Sequence, residues 1–306
     1  MNVREWALPV YTILLQLAVG SLLLLWIIRA FNIAQLGEAN IDKMVKIPIL
    51  IIFLTIILAI IGAHFHLSRP FLSFLAVSNF RTSWLSREVA FTLSFFLTVG
   101  GLVFLQWFVP GRARLKSALG WIAISFGLIG IYCMSNIYLL PTQAAWNSPF
   151  TIVSFYLTVI MLGSTALPAI LLIDLAFSNV LQQGQLDDRP GIVRRALTWS
   201  AAVAVIAWIV VAALNVYQVN LLRGGDQWAR TSYDLLIKLY WPLLALRLGL
   251  SLIGVVWLVI SVVRMLRNEK TITDLMFPVY VSCTAVMVGE ILGRFLFYAT
   301  HVRIGV

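Results

Sequence analysis

Apolar and polar positions alternate in this chain over tens of residues rather than over single turns. Eight runs are nearly free of charge: 6–28, 47–66, 89–109, 118–140, 150–173, 196–222, 239–263 and 275–300. Each is close to the roughly 20 apolar residues that carry a helix across a bilayer. In hydrocarbon every backbone N–H and C=O must be paired within its own segment, so runs of this length can only be helices. Pro110, Pro141, Pro149 and the pair Pro190–Gly191 fall between runs, where chain breakers belong. Pro168 and the pair Gly163–Ser164 lie inside the fifth run and predict a kink there. No internal repeat and no low-complexity tract stands out. The pattern predicts an all-α integral membrane protein, a bundle of eight transmembrane helices forming one membrane domain over 1–306.

Composition excludes several alternatives. Of 306 residues 61% are hydrophobic and 11% charged, where a soluble domain carries about 25% charged residues. The eight spans use up the sequence, so no soluble catalytic domain is expected and any partner chemistry belongs to another polypeptide. A net charge of +10 would suggest nucleic acid in a soluble protein. Here it reads as basic loops beside lipid, and no nucleic-acid partner is expected. Cys133 and Cys283 are isolated inside predicted spans, so neither an iron–sulfur cluster, nor another metal site, nor a disulfide framework is expected of this protein. The first run is too long for a signal-peptide core and should persist as a helix.

Lysine and arginine set the orientation. Loops after spans 1, 3, 5 and 7 and their flanks hold twelve, from Arg29 to Lys270, and the opposite side holds eight, from Arg4 to Arg303. The richer side is cytoplasmic by the positive-inside rule, which puts both termini outside. Asn136, Tyr138, Tyr156, Asn215, Tyr217, Gln218, Tyr240 and Trp241 then gather near outer ends. An aromatic belt with polar caps accounts for them; so does a cavity opening to the outer leaflet.

Candidate chemistry concentrates in residues 61–89. His66 closes the second run, Glu88 opens the third, and Arg69, Arg81 and Arg87 lie between. His64 and His66 are two apart, so only one can face the bundle. Ser68-Arg69-Pro70 has the form of a helix start, which would put Phe71, Phe74, Leu75 and Ser78 on one face of a short interfacial helix. The three arginines then reach headgroup level, where snorkelling alone explains them. Oxidising a quinol needs an acceptor for its hydroxyl proton and then a proton exit. Imidazole suits the first task and a water-accessible carboxylate the second, which fits His66 and Glu88. The plainer account is an interfacial histidine and a helix-N-terminal glutamate.

The last run carries a second group. Glu290 and Arg294 are four apart, on one helical face and able to pair, with Gly289 and Gly293 flanking them at small-xxx-small spacing. Arg294 and Glu290 lie about 10 and 16 Å from His301 along the axis, and Arg247 about 13 Å from Lys238. Three charges at one depth imply pairing inside the bundle. That pairing, of Arg294 or Arg247 with Glu290, reads as an architectural salt bridge, or as a network that fixes a headgroup or passes protons.

Three patches carry a family resemblance: His66-Leu67-Ser68-Arg69-Pro70 with Ser83-Trp84-Leu85-Ser86-Arg87-Glu88; Tyr138 with Trp146 and Pro149-Phe150; and G-E-x-x-G-R-x-x-F-Y-x-x-H at Gly289–His301. In these patches, in length and in eight-span layout the protein resembles the membrane-anchor subunits of dimethyl sulfoxide reductases, the DmsC family. Ser68 stands where that family has glycine. The resemblance implies a multi-pass subunit of a prokaryotic cytoplasmic membrane that carries no haem or iron–sulfur cluster of its own. It implies that menaquinol is oxidised here, with electrons passing to a four-cluster iron–sulfur subunit attached to a molybdopterin catalytic subunit on the outer face. His66 and Glu88 are then the expected quinol-site residues, with Arg69, Ser86, Arg87, Tyr138, Glu290 and Arg294 around them. Competing expectations are a b-type cytochrome with one haem between His64 or His66 and His301, a proton-coupled transporter using Glu290 and Arg247, and a passive anchor.

Overall fold

A computed structural model describes residues 3–66, 75–178, 189–267 and 271–302. Among the described residues there is no strand, and eight helices are long and apolar enough to cross a membrane. They are α1 (Ala7–Ile33), α2 (Asn40–Phe65), α3 (Trp84–Phe108), α4 (Ala113–Asn136), α5 (Pro149–Phe177), α6 (Arg189–Gly224), α7 (Trp241–Leu266) and α8 (Met276–Ala299). With an even number of spans, the start of α1 and the end of α8 share one face of the bundle, called here the terminal face.

The connections show why the backbone turns where it does. Between α1 and α2 the helical backbone is interrupted at Gly37, with φ 72° and ψ 162°, a conformation open in practice only to glycine. The second span begins earlier than the apolar pattern predicts, because Asp42, Lys43 and Lys46 are helical too. Their charges are accommodated: Lys116 Nζ lies 2.6 Å from Asp42 Oδ2, and Lys46 Nζ lies 4.1 Å from the centre of the Trp107 ring. Gly111 and Arg112, both at positive φ, make the tight turn from α3 to α4. Pro149 starts α5 in the first helical turn, where its missing N–H costs nothing. Asp226 caps the short helix Gln227–Asp234 between α6 and α7, accepting from Ala229 N at 2.8 Å.

Two helices form the centre. In their most apolar windows α5 is 83% and α1 72% buried inside the protein, against 22–44% for the other six. They cross at Gly20 and Gly163, where a Cβ on Gly163 would stand 2.5 Å from the Gly20 carbonyl carbon. Gly163, read in the sequence as part of a kink, therefore serves a close helix crossing, and α5 continues as one helix through Pro168. On the face opposite the termini, Trp26 Nε1 donates to Ser117 O at 3.0 Å and Gln106 Nε2 to Asp42 O at 2.5 Å. These bonds tie α1 and α2 to α3 and α4. The other hairpin, α7–α8, closes through glycines: Ser282 Oγ donates to Gly254 O at 2.6 Å, and Gly289 lies against the Arg247 backbone. The small-xxx-small spacing of Gly289 and Gly293 thus brings α7 onto α8, as expected of it.

Candidate functional site

The predicted site residues separate into two neighbouring regions at the terminal face. The first is built on the start of α3. Ser83 caps that helix, its hydroxyl accepting from Ser86 N at 3.3 Å. Arg87 fastens the preceding turn, with Nε donating to Phe80 O at 3.0 Å, an amine to Arg81 O at 2.7 Å, and its guanidinium 4.3 Å from the centre of the Trp84 ring. Ser86 and Glu88 are buried. Glu88 points toward α1, where the Tyr11 hydroxyl is its neighbour and lies 3.1 Å from Thr92 Oγ1.

The expectation of a water-accessible carboxylate at residue 88 therefore fails: it is 5% exposed. One turn into α3, its side chain is enclosed by α1, so a proton held there needs a relay to reach water. Nearer the rim, Ser83, Trp84, Leu85, Asn136, Ile137, Leu139 and Leu140 line an open groove of about 410 Å³. His64 is exposed and turned back on Ile60 O at 2.8 Å. His66 ends the helical stretch that contains α2, but its side chain lies outside the described residues. So do Arg69 and residues 67–74, hence most of the predicted interfacial helix; residues 75–77 form a single 3₁₀ turn.

The second region lies between α5, α6, α7 and α8. Glu290 does not pair with Arg294. Its Oε2 accepts from Thr158 Oγ1 at 2.7 Å and stands 4.0 Å from a terminal nitrogen of Arg247. Arg294 instead crosses to α1, donating to Gln16 Oε1 at 2.9 Å, and lays its guanidinium 3.8 Å from the Phe155 ring centre. Gln16 in turn donates to Phe155 O at 3.1 Å. A cavity of about 50 Å³ adjoins these side chains, and Asn215, Gln218, Thr158, Arg247, Glu290 and Arg294 are among its walls; Glu88 and Ser86 are not. The polar set near the outer ends thus divides. Asn215 and Gln218 belong to a cavity, while Tyr217 and Trp241 are exposed on the bundle surface.

Tyr138 stands between the regions. Its hydroxyl meets that of Tyr298 at 2.6 Å, and its ring packs edge-on against Trp146 and Phe297. Burial, followed by the neighbouring Tyr298, pushes the Tyr138 phenol well above its ordinary value, so it stays protonated as donor and acceptor. Trp146 stacks on His301 and donates to Phe297 O at 2.7 Å. His301 is exposed and its Nδ1 approaches Tyr298 O at 2.5 Å.

Sequence reasoning carried Tyr298 only as the tyrosine of the Gly289–His301 motif, and did not find Tyr11, Thr92, Gln16 or Thr158. Thr92 sits four residues after Glu88, on the same helical face, and was within reach of that rule. The others act across helices, and no local signal marks them.

Known proteins resemble this one along nearly its whole length. A family model described as the DMSO reductase anchor subunit (DmsC) matches residues 1–300. The anaerobic dimethyl sulfoxide reductase protein YnfH of Escherichia coli (strain K12) is 27% identical over 307 residues, spanning 99% of the present sequence and 96% of its own. The C subunit of the anaerobic dimethyl sulfoxide reductase of Haemophilus influenzae is 27% identical over 316 residues, covering 100% and 98% of the two proteins. The corresponding C subunit of the Escherichia coli enzyme is 25% identical over 313 residues, covering 99% and 96%.

Proposed function

This protein belongs to the family of DMSO reductase anchor subunits, a membrane subunit of an oxidoreductase complex, and from that premise we propose that it oxidises quinol at the start of α3. The observation that carries the reading is Glu88. It is a carboxylate buried in a membrane span among hydroxyl partners, one turn below an open groove at the terminal face. Intramembrane ionisable residues are costly and tend to be functional. A hydroxyl can donate to a carboxylate or accept from a carboxylic acid, so Tyr11 serves Glu88 in either protonation state.

In this reading menaquinol enters from the lipid along the groove beside Trp84 and Leu85. His66, at the end of the α2 helix, accepts one hydroxyl proton, and Glu88 takes the second and hands it on through Tyr11 and Thr92. Two electrons leave for an iron–sulfur subunit that is itself docked to a molybdopterin catalytic subunit, and quinone returns to the bilayer. Arg69 and Arg87 tune the field at the mouth. Arg87 acts indirectly, since its donors hold the turn at Phe80 and Arg81. Ser86 and Tyr138 shape the wall, with Glu290 and Arg294 behind it. The twelve-to-eight bias of basic residues supports termini, groove and partner subunits on the outer side.

The test separates electron entry from terminal reduction. In the assembled complex, His66→Ala is expected to abolish quinol-driven turnover while reduction of the terminal substrate by an artificial dye continues. Normal quinol-driven turnover in that variant would remove the site from the mechanism.

A further inference from the structure

We propose that the cavity between α5, α6, α7 and α8 is a binding site for a small monovalent anion, of halide or formate size. This inference does not depend on the quinol reading. Its walls hold three charged side chains, Arg247, Arg294 and Glu290, and the faces that α5 and α6 contribute, Thr158 and Asn215 among them, are neutral. Two guanidinium groups against one carboxylate leave one positive charge in excess. The electrostatic surroundings of Arg294 are Tyr298, Tyr138, Glu290 and Arg247, with no second carboxylate among them. Glu290 and Arg294 are 2% and 6% exposed and the Arg247 side chain 14%, so water offsets only part of that charge. An uncompensated buried charge is strongly unfavourable.

Donors also outnumber acceptors. Each guanidinium carries five N–H groups and no acceptor. Arg247 reaches Asn215 Oδ1 only at 3.4 Å and Glu290 Oε2 only at 4.0 Å. The Nε of Arg247 and the Nε of Arg294 are buried without an acceptor, against one buried acceptor without a donor, Glu290 Oε1. Gly293 lets the Arg247 guanidinium lie directly on the α8 backbone, where a Cβ would collide with it. The Arg247 position is therefore built, and not an accident of a long side chain. About 50 Å³ suits one small anion with a water or two, since a single water needs roughly 10–15 Å³ on that measure.

The experiment uses the purified complex in lipid nanodiscs at constant ionic strength, replacing gluconate by bromide. Thermal unfolding of this subunit should shift upward and saturate with bromide, and anomalous diffraction should place bromide beside Arg247. Arg247→Gln should abolish the saturable shift. Glu290→Gln, which adds a net positive charge, should instead strengthen bromide binding, by roughly tenfold for each 1.4 kcal/mol gained. A merely structural ion pair would be weakened by both changes and would give no bromide dependence. No saturable shift in the unaltered complex, or no bromide peak beside Arg247, would show an ordinary water pocket and overturn the proposal. If Arg247→Gln fails to assemble, the direction of the Glu290→Gln change decides alone.

Discussion

Glu88 and Glu290 are both buried carboxylates in the terminal half of a span, and they have different partners. Glu88 meets hydroxyls: Tyr11 from α1, with Thr92 beside it. Among the described residues it forms no ion pair with an arginine or lysine. Glu290 meets Arg247 and Thr158, and a guanidinium can only donate. The first arrangement offers only partners that can both donate and accept, and the second adds one that can only donate. A buried carboxylate is therefore not diagnostic by itself; its partners decide whether it can take part in proton transfer. The anchor helices place these two kinds of site back to back, with α1 serving both through Tyr11 and Gln16.

The strongest way to break the comparison is to remove the titratable group from the first region. Glu88→Gln keeps the shape and an acceptor for Tyr11 but cannot carry the proton. Loss of positioned acid–base chemistry typically costs 10²–10⁴-fold, so quinol-driven turnover should fall about a hundredfold or more. Assembly and dye-driven activity should stay within about twofold, because the amide still offers the Tyr11 hydroxyl an acceptor. A comparable loss of assembled complex would make Glu88 structural, and the contrast with Glu290 would vanish.

The second region answers to stability. Arg247→Met removes the cation that faces Glu290 in a low-dielectric interior and leaves only Arg294 near it; breaking such a buried pair costs up to about 3–5 kcal/mol. The subunit should unfold at markedly lower temperature, and adding Glu290→Gln should restore most of the loss, since a neutral amide no longer needs a counter-charge. A double variant as unstable as the single one would mean that Arg247 acts through packing alone.

These contrasts were only partly visible in the sequence. The eight spans were, because twenty apolar residues in a row leave the backbone no other option. The depth of Arg247, Glu290 and Arg294 was too, since helical rise converts sequence separation into height. Which arginine faces Glu290 was not. The i,i+4 rule permits Arg294, but the α7–α8 approach at Gly289 and Gly293 brings Arg247 in, and Gln16 on α1 draws Arg294 away. Glu88 could be named but not its burial. A glutamate one turn into a helix at the membrane surface ordinarily faces water, and the position of α1 encloses this one. Gly163 shows the same limit: its flexibility suggested a kink, while the contact that needs it comes from Gly20, 143 positions away in the sequence.

A smaller effect tests whether the two regions are coupled. Tyr138 and Tyr298 share a buried hydroxyl bond at 2.6 Å between them. Tyr138→Phe and Tyr298→Phe should each cost about 1 kcal/mol of stability, the usual net worth of one such bond. The double variant should cost little more than either, since each removes the same bond. Fully additive losses would show that the hydroxyls have separate partners and that the regions are independent.

The least change expected to register is at the rim. Ser83→Ala removes the cap that starts α3, a loss of about 1 kcal/mol, and the 3.3 Å bond to Ser86 N is at the long end for such caps. Because Glu88 is one turn beyond this cap, fraying of the first turn would loosen its approach to Tyr11 without removing the carboxylate. Quinol-driven turnover should then show a raised KM, by a few-fold, with kcat held within about twofold, the pattern of weakened binding rather than lost chemistry. The second region, resting on α7 and α8, should be untouched, and the thermal effect of Arg247→Met should add to that of Ser83→Ala. A fall in kcat with unchanged KM would instead tie the cap to the proton transfer itself, and would move Ser83 from the mouth of the groove to the reacting end of the site.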